Sequence, residues 1–175
     1  SLKYGQDGRA RIAYTEEGSG NGNLLFASQL TASTGNCGPS NTWQCDTIDV
    51  GSNVAYVSLD LDSFDVPAIA YYDRTAQSLK LALGNQSGGN CGPGNTWRCY
   101  VIDDNATDDI GRYASLAVSD DLNIPFHIAY LNATTGQLRY AYSYISSPNC
   151  GGGLPFKCID IEAMDANTVT PVQDP

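Results

Sequence analysis

The stretches NCGPSNTWQC (residues 36–45), NCGPGNTWRC (90–99) and NCGGGLPFKC (149–158) decide the fold of this chain. Each holds two cysteines that enclose seven residues, and asparagine precedes the first cysteine every time. A pattern that recurs at a regular interval indicates a repeated structural unit. The chain therefore reads as three units of about 55 residues each.

The repeat extends well beyond the cysteines. Each unit carries Ser-Leu, then Ile-Ala-Tyr, then a leucine with an alanine three positions later, and finally Ile-Asp or Ile-Glu after the second cysteine. Between these marks lie short runs rich in Tyr, Val and Ile that Gly, Asn, Asp and Pro interrupt, which is typical of β-strands. Four strands per unit are predicted, in the order SLKY, ARIAYTE, NLLFASQ, WQCDTID; VAYVSLDLD, AIAYYD, SLKLALG, WRCYVID; and YASLAVS, FHIAYL, QLRYAYS, FKCIDIE.

Four antiparallel strands repeated at this interval resemble the blade of a β-propeller. The resemblance implies an all-β fold with three four-stranded antiparallel blades, which amounts to a half or partial ring. The predicted units are residues 1–50, 51–104 and 105–162. Residues 163–175 are expected to form a tail or the start of a further blade.

The loop before the fourth strand is similar to a known propeller turn. Residues 38–43 (GPSNTW) and 92–97 (GPGNTW) resemble the Asp-box, Ser-x-Asp-x-Gly-x-Thr-Trp, of sialidase-like bacterial propeller repeat proteins. The Ser and Asp of the motif are missing here, and the Cys-x7-Cys loop replaces them. The resemblance implies that the cysteines pin this hairpin.

The cysteine spacing predicts three disulfides, which pair Cys37 with Cys45, Cys91 with Cys99 and Cys150 with Cys158. The rival interpretation is metal binding, but the spacing differs from the Cys-x2-Cys pairs of zinc sites. Disulfides indicate an oxidising compartment. Candidate glycosylation sequons at Asn85, Asn105 and Asn132 agree with a secreted or cell-surface protein.

Charge excludes several partner classes. The 175 residues include nine basic and nineteen acidic side chains, which gives a net charge of −10 and a pI near 4.2. Such a surface repels a phosphate backbone, so nucleic acid is not an expected partner. No apolar run approaches the roughly 18 residues of a membrane span, so membrane insertion is not expected either.

Three blades are too few to close a propeller, which usually needs four to eight. The outer faces of the first and third blades should then be exposed and apolar, which normally marks a partner surface. Two explanations remain open. Either further copies of the chain complete the ring, for example two copies with six blades, or the chain is a piece of a longer propeller. The first explanation predicts an oligomer in solution.

The sequence contains no complete motif for catalysis or for calcium binding. Asp60-x-Asp62-x-x-Asp65 could supply oxygen ligands to Ca²⁺, but it lacks the glycine and terminal glutamate of a calcium loop, which favours a solvated turn. His127 is the sole histidine, and no Gly-x-Ser-x-Gly motif accompanies it, so neither a Ser-His-Asp nor a Cys-His site is predicted. We expect no catalytic residue and no cofactor.

Aromatic residues indicate a function more clearly than the catalytic motifs do. Trp43, Trp97 and Phe156 share one repeat position, which indicates hydrophobic plugs between blades, and aromatic rings also stack on sugars. Tyr72 and Arg74, at the end of a second strand, have the character of a ligand pocket. The favoured function is a non-catalytic extracellular module for glycan or protein binding or adhesion. The alternatives are a structural subunit of a ring or filament, and a fragment of a glycosidase-type propeller enzyme.

Overall fold

The structure, a computed structural model, describes residues 1–16, 22–121 and 123–163. These residues form twelve strands in three four-stranded antiparallel sheets, together with two single-turn 3-10 helices at Pro39–Asn41 and Pro93–Asn95. Sheet 1 contains β1 (Leu2–Tyr4), β2 (Ala10–Thr15), β3 (Leu24–Gln29) and β4 (Trp43–Asp49). Sheet 2 contains β5 (Val54–Leu61), β6 (Pro67–Asp73), β7 (Ser78–Leu83) and β8 (Arg98–Asp103). Sheet 3 contains β9 (Ile110–Val118), β10 (Phe126–Asn132), β11 (Gln137–Ser143) and β12 (Phe156–Ala163).

The prediction of an all-β fold with four antiparallel strands per repeat is confirmed. In every sheet the strands lie side by side in chain order. Each sheet falls inside one predicted unit, except that β12 extends to Ala163. The three sheets of the described residues do not close a ring. Beyond Ala163, the predicted tail or further unit lies outside the described residues.

Sheet 2 lies between the other two sheets and buries both of its faces. Every residue of β6 is buried, as its apolar character on both faces predicted. The face with Ile69 and Tyr71 packs against sheet 1, and the face with Ala68 and Ala70 packs against sheet 3. Because protein interiors are densely packed, the small alanines leave room for larger side chains of the neighbouring sheet.

The cysteine loops are pinned in the same way in all three repeats. The disulfides join Cys37 to Cys45, Cys91 to Cys99 and Cys150 to Cys158, with no free cysteine left. The predicted pairing is confirmed, and the metal-binding alternative is wrong. Disulfides of this kind are consistent with an oxidising extracellular environment.

The asparagine before each loop adds a second clamp. The Asn90 amide donates to the Cys99 carbonyl at 3.0 Å, and the Cys99 backbone N–H donates to the Asn90 Oδ1 at 2.7 Å. Asn36 and Asn149 form the same two bonds with the second cysteine of their own repeats. This clamp explains why asparagine recurs in all three motifs.

Removing one disulfide should weaken the fold without changing it. In the double variant Cys91→Ala/Cys99→Ala, we expect the free energy of unfolding to fall by about 2.6 kcal/mol, since a loop of about nine residues loses its cross-link in the unfolded state. Urea unfolding followed by tryptophan fluorescence measures this loss. The wild type in reducing agent is the control, and an unchanged urea midpoint in the double variant would contradict the prediction.

Candidate functional site

Each inner junction between sheets is held by a carboxylate that one sheet extends to the next. At the first junction, Asp49 at the end of β4 accepts hydrogen bonds from the Tyr71 hydroxyl at 2.7 Å and from the Lys80 Nζ at 2.6 Å. At the second junction, Asp103 at the end of β8 accepts from the Tyr130 hydroxyl and from the Arg139 Nη1. The three residue types, acid, tyrosine and cation, occupy the same repeat positions in both clusters.

A β-bulge aims each acid at the next sheet. Asp49 pairs with Leu24 and Asp103 pairs with Leu79, and the register of the third and fourth strands shifts immediately after both leucines. Bulges commonly redirect a side chain in this way. Glu162 pairs with Leu138 and precedes the same shift in sheet 3. The three acids are therefore equivalent in backbone setting as well as in sequence.

The pKa values of the two carboxylates are shifted in opposite directions. Burial alone would raise the pKa of Asp49, but the hydrogen bonds from Lys80 and Tyr71 outweigh it and lower that pKa from its ordinary 3.8. At Asp103 burial prevails over the Tyr130 hydrogen bond and the Arg139 charge, so its pKa is raised. Burial and the adjacent carboxylate raise the pKa of both tyrosines, which therefore remain neutral donors at physiological pH.

Backbone contacts repeat across the two junctions as well. The Oγ of Ser1 accepts the N–H of Leu59 at 3.1 Å, and the Oγ of Ser58 accepts the N–H of Leu116 at 2.9 Å. A glycine N–H of the second and of the third cysteine loop also donates to the fourth strand of the preceding sheet, in the pairs Gly92 to Ile48 and Gly152 to Val101. The chain thus builds one kind of sheet-to-sheet interface twice.

The outer face of sheet 1 is one half of that interface, and no sheet of the described residues covers it. The first three strands of sheet 2 present Leu59, Ile69, Tyr71 and Ala82 to sheet 1, together with Trp97, which immediately precedes β8. Their counterparts in sheet 1 are Leu2, Ile12, Tyr14, Ala27 and Trp43. Leu2 is 60% exposed, and the other four line an open depression of about 370 Å³ together with the first cysteine loop.

The outer face of sheet 3 is the other half. Sheet 2 presents Ala70, Leu79, Leu81, Ile102 and Asp103 to sheet 3. Their counterparts in sheet 3 are Ala129, Leu138, Tyr140, Ile161 and Glu162. Leu138 and Ile161 are 41% and 55% exposed, whereas Leu79 and Ile102 are completely buried. We call these two surfaces the sheet 1 face and the sheet 3 face. Within the described residues, both outer sheet faces carry exposed apolar side chains, as predicted.

Aromatic side chains extend the sheet 3 face. The rings of His127, Tyr140, Tyr142 and Tyr144 follow one another at centroid distances of 6.0, 5.3 and 5.7 Å. The His127 Nδ1 lies 2.5 Å from the Tyr140 hydroxyl. His127 is therefore part of a surface aromatic row, with a hydroxyl as its hydrogen-bond partner.

The structure places Tyr72 and Arg74 in different environments. Tyr72 is buried, its hydroxyl donates to Asp109, and the Arg112 guanidinium lies 5.8 Å from the centroid of its ring. Burial and the Asp109 hydrogen bond raise the pKa of Tyr72 to about 12. Arg74 lies in an exposed turn after β6. The two side chains do not form the shared pocket that their adjacency suggested.

The two tryptophans also differ in environment. Trp97 is 4% exposed and packs edge-on against Phe26 of sheet 1, with ring centroids 5.1 Å apart. Phe156 is completely buried between sheets 2 and 3. The prediction that these rings act as plugs between sheets is confirmed for both. Trp43 lies half-buried on the sheet 1 face, where no sheet of the described residues covers it.

The remaining polar candidates form hydrogen bonds and ion pairs within and between the sheets. Asp60 pairs with Lys3, Asp62 caps its own hairpin, and Asp65 accepts backbone N–H groups from the β1–β2 turn. No group of three metal-ligating side chains is found within residues 1–16, 22–121 and 123–163. Asp62 and Asp65 follow β5 in the predicted turn, whereas Asp60 lies within β5, and its Oδ2 also accepts the backbone N–H of Val118 in sheet 3 at 2.8 Å.

The candidate glycosylation sites differ in accessibility. Asn85 and Asn105 are exposed. Asn132 is buried, and its amide donates to Asp108 at 3.0 Å while its Oδ1 accepts backbone N–H groups of the following turn. A glycan on Asn132 would require this turn to open, so the fold disfavours that predicted site.

Comparison of the chain with protein-family models, with curated proteins and with solved structures finds no match. In the part of the chain that the structure describes, no helix is long and apolar enough to cross a membrane.

Proposed function

We propose that this chain is a non-catalytic extracellular module of the β-propeller type whose end sheets associate head to tail with further repeats of its own kind, a second copy being the partner. The observation that carries the proposal is that the sheet 1 face and the sheet 3 face are the two halves of an interface that the chain already forms twice internally. A surface that is complementary to another surface of the same molecule supports heterologous association, which closes into a ring or extends as a filament.

Other features support the extracellular and propeller parts of the proposal. Three disulfides and two exposed sequons agree with secretion. Four antiparallel strands per sheet, with successive sheets packed face to face, agree with a series of propeller blades. Six sheets from two copies would lie within the size range of closed propellers.

Ligand binding remains part of the proposal, but only some of the residues that the sequence suggested for it are accessible. Trp97 and Tyr72 are buried, so neither ring offers a face to a sugar. Trp43 does line an open depression, yet that depression is the sheet 1 face itself. A glycan bound at Trp43 would therefore compete with association between copies.

Two variants, each with a charge that blocks one of the two faces, test the association. Tyr14→Arg introduces a charge on the sheet 1 face and leaves the sheet 3 face intact, and Leu138→Arg does the reverse. We expect each variant alone to be monomeric in sedimentation velocity, whereas an equimolar mixture forms a dimer, because each partner retains one complementary face. The average molecular mass of the wild type in solution should increase as its concentration rises from micromolar to millimolar.

The exposed Val50 provides the control, since it lies outside both faces. Val50→Arg should associate like the wild type. A wild type that remains monomeric at millimolar concentration, together with a blocked mixture that forms no dimer, would contradict the proposed function.

A further inference from the structure

Each inner junction has a cation across the strand pair from its tyrosine, whereas the sheet 1 face has none at that position. Lys80 lies directly across the strand pair from Tyr71, and Arg139 lies directly across from Tyr130. Each cation reaches the acid of the preceding sheet at 2.6 Å. In sheet 1 the residue directly across from Tyr14 is Leu25. The sheet 1 face therefore offers the tyrosine of the cluster without its cation.

The sheet 3 face still supplies the acid. Glu162 occupies the bulged position of Asp49 and Asp103, and it is exposed. If the sheet 3 face packs on a sheet 1 face as the inner sheets pack, Glu162 approaches Tyr14 and Leu25. A carboxylate that becomes buried without a paired cation opposes association, because its desolvation is not compensated.

We infer that Leu25 sets the strength of the junction between copies: by withholding the cation that Lys80 and Arg139 supply within the chain, it makes this junction the weakest of the three and keeps assembly reversible. The inference rests on the proposed function, since it concerns the same two faces. Leu25 is thus a specificity-determining residue, and the favoured occupant of the sheet 1 face changes with the residue at this position.

The mixture of blocked variants isolates this junction. The Leu138→Arg copy contributes the sheet 1 face and the Tyr14→Arg copy contributes the sheet 3 face, so the mixed dimer contains one interface between copies. Adding Leu25→Lys to the Leu138→Arg copy should tighten the dissociation constant of the mixed dimer by at least about tenfold, because the new ammonium pairs with Glu162. Isothermal titration calorimetry measures both constants.

Two further variants separate a specific pair from a general charge effect. Glu162→Gln in the Tyr14→Arg copy should remove most of the gain that Leu25→Lys provides, and by itself should tighten the dimer with Leu25 unchanged. Val50→Lys in the Leu138→Arg copy adds the same charge away from the face and should leave the dissociation constant unchanged.

The outcomes distinguish this inference from the proposed function. A mixed dimer whose affinity is the same with Leu25 and with Lys at that position overturns the inference and leaves the proposed function standing. A gain that persists in the presence of Glu162→Gln overturns the inference too. If no combination dimerises, including the one with Leu25→Lys, the proposed function fails and the inference falls with it.

Discussion

Replacing Trp97 by alanine is expected to lower the free energy of unfolding by about 3–5 kcal/mol, the range observed when large buried aromatic side chains are truncated. Trp97 is 4% exposed and fills the space between sheets 1 and 2, where it meets Phe26. Removing the indole leaves a cavity that the paired strands on both sides cannot collapse to fill. Guanidinium unfolding followed by circular dichroism gives the loss directly.

Trp43 is the matched control because it occupies the same repeat position. Its indole packs on its own cysteine loop, close to Gly38, but no preceding sheet covers it in the described residues. Trp43→Ala should therefore cost much less stability in the monomer and should weaken association between copies. Equal losses for the two variants at low protein concentration would contradict the assignment of Trp97 as an inter-sheet plug.

Replacing Lys80 by leucine should cost about 3–5 kcal/mol, the usual effect of removing one partner of a buried ion pair. Lys80 Nζ lies 2.6 Å from Asp49 and 3.4 Å from Asp73, and all three side chains are at most 15% exposed. Without the ammonium, both carboxylates remain buried beside an apolar side chain. The variant reproduces within the chain the arrangement that Leu25 creates at the sheet 1 face.

On acidification, the contribution of Asp49 to the free energy of unfolding should rise in this variant, whereas it falls in the wild type. In the wild type the pKa of Asp49 is lowered from 3.8, so the contribution of this carboxylate is complete above that pH and is lost as the pH falls through the lower folded-state pKa. In Lys80→Leu, burial that the cation no longer offsets should raise the pKa of Asp49. Acidification through that raised pKa should then recover part of the lost stability.

Lys3→Leu is the control for general effects of charge. Lys3 forms an ion pair with Asp60 at 3.0 Å, but its side chain is 43% exposed, so we expect a loss of at most about 1 kcal/mol. Thermal unfolding at pH 7 and pH 5 compares the three proteins. A deficit of Lys80→Leu that is no larger than that of Lys3→Leu, or that grows on acidification, would contradict the buried-cluster interpretation.

Much of the fold could be predicted from the sequence because its signals are local. The Cys-x7-Cys motif specified the disulfides, and the alternation in residues 78–83 specified a strand that the structure places at Ser78–Leu83. The double-sided apolar character of residues 67–73 predicted the burial of β6. Each of these signals depends on neighbours along the chain or on a single strand pair.

The candidate site could not be predicted in the same way. The recurring tyrosine of Ile-Ala-Tyr and the acid after the last isoleucine were visible in each repeat, but their partnership was not. Tyr71 and Asp49 are 22 positions apart and belong to different sheets. Conversely, Tyr72 and Arg74 are close in sequence but do not share an environment, because β6 ends at Asp73 and Arg74 lies in the exposed turn that follows.

The sequence by itself thus determined the repeat, the strands, the disulfides and the all-β class, since these depend on periodicity and on spacing within one unit. The tertiary structure decided which residues meet between units: the bulge that turns Asp49 and Asp103 to the next sheet, and the cations that receive them. It also decided which sheet faces another sheet of the described residues covers and which are exposed to solvent. The physical reason is that burial and ion pairing between sheets depend on the packing of faces whose residues lie far apart along the chain, and no local pattern encodes that packing.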